Sequence, residues 1–278
     1  MTEQIHTTEL LNTDSFLPVG SSALVRSFSA PAGKVYLLYG DPVIFRLSLI
    51  LASRALSKGS TIAVVDGCNR FNVHTITRYA RERKIDPAVL LKRIFISRGF
   101  TCYQMEAAVS SRLPAFLNSR DANIAMIFGL LDTFYDEQAP LQEVQQILHR
   151  LLHTFQTMKA DGISLLLVCT EWNVLPKERN QLFERLKAGT DRVYRLKPNQ
   201  ENKPQIFLEQ HRTMVEQKGE CYGKNRPDLY QHYRKRAGVM VQIPAGAPEG
   251  RPDAFRRYVQ HRQETLSRKL LRDADNTL

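Results

Sequence analysis

Long hydrophobic runs are missing from this sequence, and that absence sets the first limit. No apolar stretch in its 278 residues approaches the roughly 20 needed to cross a bilayer. The first residues carry Glu3, Glu9 and Asp14, with no basic region leading into an apolar one, so they do not read as a secretory signal. Cysteine is scarce. Cys68, Cys102, Cys169 and Cys221 lack the paired CxxC spacing of a zinc site, and a reduced, cytoplasmic setting is expected. Acids are also in short supply. Against 39 Lys and Arg stand 28 Asp and Glu, a net charge of +11. That balance favours an anionic partner, nucleic acid first, with an acidic protein or a membrane surface behind it.

What is present is a regular alternation. The hydrophobic content of 43% can fill the core of one large domain, or of one domain plus an appendage. Short apolar runs at 35–39, 61–65, 93–97, 124–128 and 164–169 read as strands. Between them lie helical patterns at 47–56, closed by Gly59, and at 73–84, 103–117 and 141–159. The second of these carries "RYARERK" on its wet side. The last has Leu141, Val144, Leu148, Leu151, Leu152 and Phe155 on one stripe. Continuously apolar strands between helices predict an α/β fold, a mainly parallel sheet covered on both faces. After Gly189, "DRVYRLK" and "PQIFLEQHR" predict two strands at an antiparallel edge. The expected organisation is an arm over 1–20, a core domain over 21–214 and a basic appendage over 215–278 that ends in a helix near 253–272.

Several stretches together carry a family resemblance. "VGSSALVRSFSAPAGKVYLLYG", "IAVVDGCNRFNVHTITRYARERKIDP", "RIFISRGFTCYQM", and "IAMIFGLLDTFYDE" with a long helix and "GISLLLVCTE" follow one another in this order. In order and spacing, the chain over about 20–212 resembles the ATPase core of the RecA/RadA recombinase superfamily. The resemblance implies a RecA-like three-layer sandwich of the P-loop NTPase class.

The chemistry of that family is not matched. A working phosphate loop is GxxxxGK[ST]: backbone N–H groups cradle phosphates, the lysine neutralises them and the hydroxyl binds magnesium. The same window here reads "GDPVIFRL". Gly40 fits. Phe45 replaces the second glycine, Arg46 the lysine and Leu47 the hydroxyl. Pro42 lacks an N–H, and Asp41 adds a negative charge. Arg46 keeps a means of holding one phosphate, but Leu47 cannot ligate magnesium. Cys68 stands where the family has an acid after the second strand. Gly129 stands where the fourth strand should end in the Walker B aspartate. Asp132 comes three residues later and, on a turn, is expected to point elsewhere; in a different register it would serve. Phosphoryl transfer depends on positioning and charge, so the resemblance with these losses implies a degenerate nucleotide site (Gly40, Arg46, Asp132) without ATP turnover or a cofactor.

Other features have a bland reading beside the functional one. Cys68, Cys102 and Cys169 follow or end strands, where ligands bind, yet small buried inert residues are the commoner case. Asp66 reads as a structural residue at a strand end. His149 and His153 have metal-ligand spacing but lack the glutamate of a zinc protease, and ordinary polar flanks of the helix are expected. Residues 171–189 occupy the place of the family's second DNA-binding loop. Lys177, Arg179, Arg185 and Lys187 there serve a nucleic-acid contact or a solvated helix face equally well, and Trp172 a stacking or a core role.

The appendage is the sharper signal. Tyr222, Tyr230 and Tyr233 interleave with Lys224, Arg226, Arg234, Lys235 and Arg236, and Arg251, Arg256, Arg257, Arg262, Arg268, Lys269 and Arg272 follow. Cations bind phosphates and aromatics stack on exposed bases. Phe255, Tyr258, Val259, Leu266, Leu270 and Leu271 equally suit docking on protein. The expectation is a catalytically inactive RecA-like paralogue, a DNA-binding and assembly subunit in recombination or repair. Its expected partners are DNA, chiefly single-stranded, another RecA-like or repair protein, and further copies of itself through the apolar arm. The alternatives are a protein-binding scaffold of the same fold and an ATPase with an atypical site.

Overall fold

The computed structural model describes residues 24, 25, 28, 33–171, 177–200, 203–209 and 240–242. Among them one eight-stranded sheet runs through the molecule. Its strands are β1 (Val35–Gly40), β2 (Ile62–Asp66), β3 (Ile94–Arg98), β4 (Ile124–Phe128), β5 (Ser164–Thr170), β6 (Arg192–Pro198), β7 (Pro204–Glu209) and β8 (Val241–Gln242). The spatial order is β7-β6-β1-β5-β4-β2-β3-β8. β1 to β6 are parallel, while β7 and β8 run antiparallel at the two edges.

Alternation along the strands builds two cores. Tyr36, Leu38, Val64, Ile96, Met126 and Leu166 face a layer formed by α1 (Val43–Ser57), α2 (Val73–Glu82) and α3 (Pro87–Leu91). Leu37, Tyr39, Val65, Ile127 and Leu167 face the opposite layer. That layer comprises α4 (Cys102–Ala107), α5 (Leu113–Ser119), α6 (Leu141–Ala160) and α7 (Asn180–Ala188). Strands wet on neither face need no polar alternation, so they read as unbroken apolar runs. The expected α/β sandwich and the antiparallel pair after Gly189 are both present.

Three local differences have physical causes. The helix expected over 103–117 divides into α4, a π turn (Ala108–Arg112) and α5. Pro114 supplies no N–H to the ladder, and a widened turn accommodates the gap. On α6 the buried stripe is Val144, Ile147, Leu148, Leu151, Phe155 and Met158, while Leu141 and Leu152 are only partly buried. The third difference is β8. Residues 241 and 242, placed by sequence in the appendage, pair with Ile96 and Phe95 and close the β3 edge. Met240 packs against the α4–α7 core.

Candidate functional site

In open parallel sheets ligands bind beyond the carboxyl ends of the strands, where neighbouring strands send their connections in opposite directions. Two such gaps exist here. β1 leads to β2 on one side while its neighbour β5 leads to β6 on the other, and β2 and β4 diverge likewise.

At the first gap the turn from β1 into α1 is filled by the chain itself. Gly40 has φ +123°, and a Cβ there would stand 2.2 Å from the Leu196 carbonyl oxygen. The close approach of β6 therefore demands this glycine without reference to phosphate. Helix α1 begins at Val43, three residues later. Its leading N–H groups already have acceptors. Val43 N donates to the Asp41 carboxylate at 2.9 Å, Ile44 N to the Asp41 carbonyl at 2.9 Å and Phe45 N to the Pro42 carbonyl at 3.3 Å. Asp41 thus places its own anion where a helix N-terminus would otherwise attract a phosphate. Phe45 is 5% exposed and packs edge-on against Phe128, the last residue of β4, with ring centroids 5.5 Å apart. Leu47 is wholly buried in the α1–α3 core. Arg46 is half-buried on α1. Burial lowers its pKa first, then the nearby Arg78 of α2, against Glu82.

At the second gap two of the unusual residues interlock. Gly129 has φ +58°, and a Cβ there would lie 2.2 Å from the Cys68 Cβ, 2.5 Å from its Sγ and 2.7 Å from Asp132 Oδ2. Cys68 and Gly129 are therefore one packing solution. Asp66 organises the loop before them. Its carboxylate accepts from Arg70 N and Phe71 N, each at 3.1 Å, and faces Arg98 Nε at 3.7 Å with both side chains buried. The reading of Asp66 as structural agrees with these bonds.

Asp132 departs from expectation. It lies on a 3-10 turn (Leu131–Thr133), yet its carboxylate turns back toward Gly129 and Cys68 instead of away. The turn bond from Asp132 N to the Gly129 carbonyl, 3.2 Å, brings it round. Oδ2 is enclosed without a hydrogen-bond partner. Burial raises the Asp132 pKa, Asp66 adds to the rise, and Arg70 opposes it.

The thiols are not activated. Burial, then Asp66 and Asp132, suppresses ionisation of Cys68; burial, then Asp132 and Glu171, does so for Cys169. Burial above all pushes Cys102 up to about 12. A thiol nucleophile needs the opposite shift. No group of His, Cys, Asp and Glu suited to a metal occurs among the described residues, and His149 and His153 are exposed.

Residues 177–189 are only partly available to a ligand. Lys177 and Arg185 are exposed. Arg179 is 4% exposed, and its guanidinium donates to the Phe134 and Ala139 carbonyls, each at 2.6 Å. It ties α7 to the loop after β4, which corrects its reading as a DNA contact: a cation so enclosed presents no face to a phosphate. Lys187 pairs with Glu209 at 2.5 Å, Tyr39 donates to Glu209 at 2.9 Å, and Arg195 grips Glu171 at 2.6 and 2.7 Å. Trp172 and the appendage residues Lys224, Arg226, Tyr230, Tyr233, Arg234, Lys235, Arg236, Arg256 and Arg257 lie outside the described residues, as does the arm.

Sequence reading missed a charge asymmetry in the core. Between Val43 and Arg93 ten Lys and Arg accompany three acids; between Cys102 and Ala188 eight accompany ten. The signal was "RYARERK", but only the fold puts it on the same layer as Lys58 and Lys92. Comparison with protein-family models and with curated proteins gives no match.

Proposed function

We propose that this protein is a RecA-like chain without ATP turnover that acts as a DNA-binding and assembly subunit in recombination or repair. The observation that carries the loss of turnover is the filled first gap, with Asp41 on the α1 N-terminus and Phe45 against Phe128. An ATP phosphate would have to displace a carboxylate and a packed aromatic ring, with no hydroxyl to hold magnesium. DNA is the partner because the net charge is +11 and basic and aromatic residues interleave after Gly219.

The test has two arms. Purified protein with magnesium and ATP, with and without DNA, is expected to show no turnover above a control. A magnesium-dependent rate that vanishes in Asp132→Ala overturns this and supports the atypical ATPase, since the Asp132 carboxylate turns back toward Gly129 and Cys68 at the end of the sheet. In the second arm single-stranded DNA is titrated at rising salt, and affinity is expected to fall steeply as counterions are released. A protein-binding scaffold is the second reading. It is favoured by the edge strand β7, where Phe207 and Leu208 are 44% and 54% exposed. Absence of DNA binding at low salt would select it.

A further inference from the structure

We propose that β7 pairs antiparallel with β7 of a second copy of this chain, about a twofold axis at Phe207, so that the two sheets become one. The inference gives the assembly half of the reading above a surface, and it stands without the DNA half.

Among the described residues β7 is the outer strand at one edge of the sheet. Edge strands are commonly guarded against a second chain by lysine, proline or a charge. β7 reads "PQIFLE" and has no lysine. Its proline stands only at the first position and leaves the rest of the edge open. Its one charge is engaged within the chain: Glu209 accepts from Tyr39 at 2.9 Å and pairs with Lys187 at 2.5 Å. The strand instead shows apolar side chains on both faces of the sheet. Of the exposed large hydrophobics among the described residues, Phe207 and Leu208 are the two that lie side by side.

The hairpin decides which groups point outward. Asn199 N donates to the Lys203 carbonyl at 2.7 Å, and the register continues as Lys197↔Gln205, Arg195↔Phe207 and Val193↔Glu209. In an antiparallel ladder bonded pairs alternate with unbonded ones. Gln205, Phe207 and Glu209 therefore bond inward to β6, while Ile206 and Leu208 turn their N–H and C=O groups to the open edge. Pro204 shares that edge but has no N–H to offer.

One register satisfies these groups with a second copy. Opposed residues in a sheet face the same side, so the axis must pass at a residue. An axis at Ile206 sets Leu208 opposite Pro204 and loses a donor in each strand. An axis at Leu208 sets Ile206 opposite residue 210, beyond the strand. An axis at Phe207 sets Ile206 opposite Leu208 of the copy on either side, and each of these pairs exchanges both hydrogen bonds. The side chains agree with the backbone. Ile206 meets Leu208 on the α1–α3 face, continuing the pairs with Leu196 and Tyr194. On the α7 face the two Phe207 rings meet at the axis, and Gln205 stands opposite Glu209, an amide against a carboxylate. A strand that received only foreign peptides has no reason to match itself about its own centre.

The experiment follows the full chain by sedimentation velocity. A pair of six-residue strands is a small interface, so wild type is expected to pass from monomer to dimer over roughly 1–100 µM. Phe207→Lys and Phe207→Glu, each checked for fold by circular dichroism, are expected to dimerise at least about tenfold more weakly, because like charges meet at the axis. Mixed in equal amounts they should recover a heterodimer near wild-type affinity, a result that only a residue facing its own copy gives. In a Cys221→Ser background, Phe207→Cys should form a disulfide-linked dimer on mild oxidation, since opposed Cβ atoms in an unbonded pair lie about 5 Å apart. Phe100→Cys, exposed at the far end of β3, should not. Wild type that stays monomeric throughout the range overturns the inference. A dimer indifferent to both charges overturns it in favour of another interface. Loss in each variant without recovery on mixing overturns the twofold pairing and shows that a different segment, the arm over 1–20 or a foreign strand, seats on β7. The DNA titration above is read separately, so either reading can fail alone.

Discussion

The two ends of the parallel sheet are lined in opposite ways. At the carboxyl end, where a fold of this kind holds its ligand, the protein's own groups fill the space: Asp41 on the α1 N-terminus, Phe45 against Phe128, Cys68 against Gly129, and Arg179 on two carbonyls. At the amino end the helices finish in lysines and arginines, of which Lys58, Arg81, Lys84 and Lys92 are exposed. The contrast shows that the space beyond the strand ends can be packed as core, because side chains can supply the atoms a ligand would contribute to packing. Substitutions at the carboxyl end should then damage the fold, and substitutions of the exposed lysines at the amino end should not.

The largest expected effect is from Gly129→Asp, which puts an acid just after β4. It places a side chain at positive φ and inside the Cys68 side chain, and should destabilise by at least about 4 kcal/mol, read as loss of soluble protein or collapse of Tm. Adding Cys68→Ala should recover part of this. A stable Gly129→Asp protein would show that the second gap is open and break the comparison.

Arg179→Ala comes next. Its two carbonyl acceptors would be left buried and unpaired, a loss of about 2–4 kcal/mol. Lys177→Ala, two residues away and exposed, should leave Tm unchanged. Equal and negligible effects in chemical denaturation would return Arg179 to the surface cations.

Asp132→Asn sharpens the contrast with a gain. Burial raises the pKa of Asp132, so its protonated form favours the folded state. That stability is full below the ordinary aspartate value, about 3.9, and is lost as pH rises through the higher folded value. The amide carries no charge to bury, so the variant should gain about 2–4 °C in Tm at neutral pH and little at acid pH. A uniform shift at all pH values would refute the assignment to Asp132 ionisation. The smallest effect belongs to the amino end. Lys58→Gln, Lys84→Gln and Lys92→Gln together should change stability by no more than about 0.5 kcal/mol. A large loss would make those lysines structural. Truncation near residue 218 is a poor substitute for such variants, because it would also remove β8 and uncover the β3 edge.

By itself the sequence determined the alternation of elements, the parallel sheet with helices on both faces and the antiparallel pair after Gly189. Those features are local or periodic, and apolar runs of strand length cannot avoid burial. Tertiary structure alone decided the rest. Arg179 and Lys177 are indistinguishable in sequence, and only the loop after β4, about 40 residues earlier, supplies the carbonyls that draw one of them inward. Cys68 and Gly129 become a single feature because β2 and β4 are neighbours, which strand order sets and composition does not. Residues 241–242 belong to the core only because β3 has an open edge to pair with. Lys58, Lys84 and Lys92 share one end of the sheet because three helices bring their C-termini there, since a helix that joins parallel strands runs back against them.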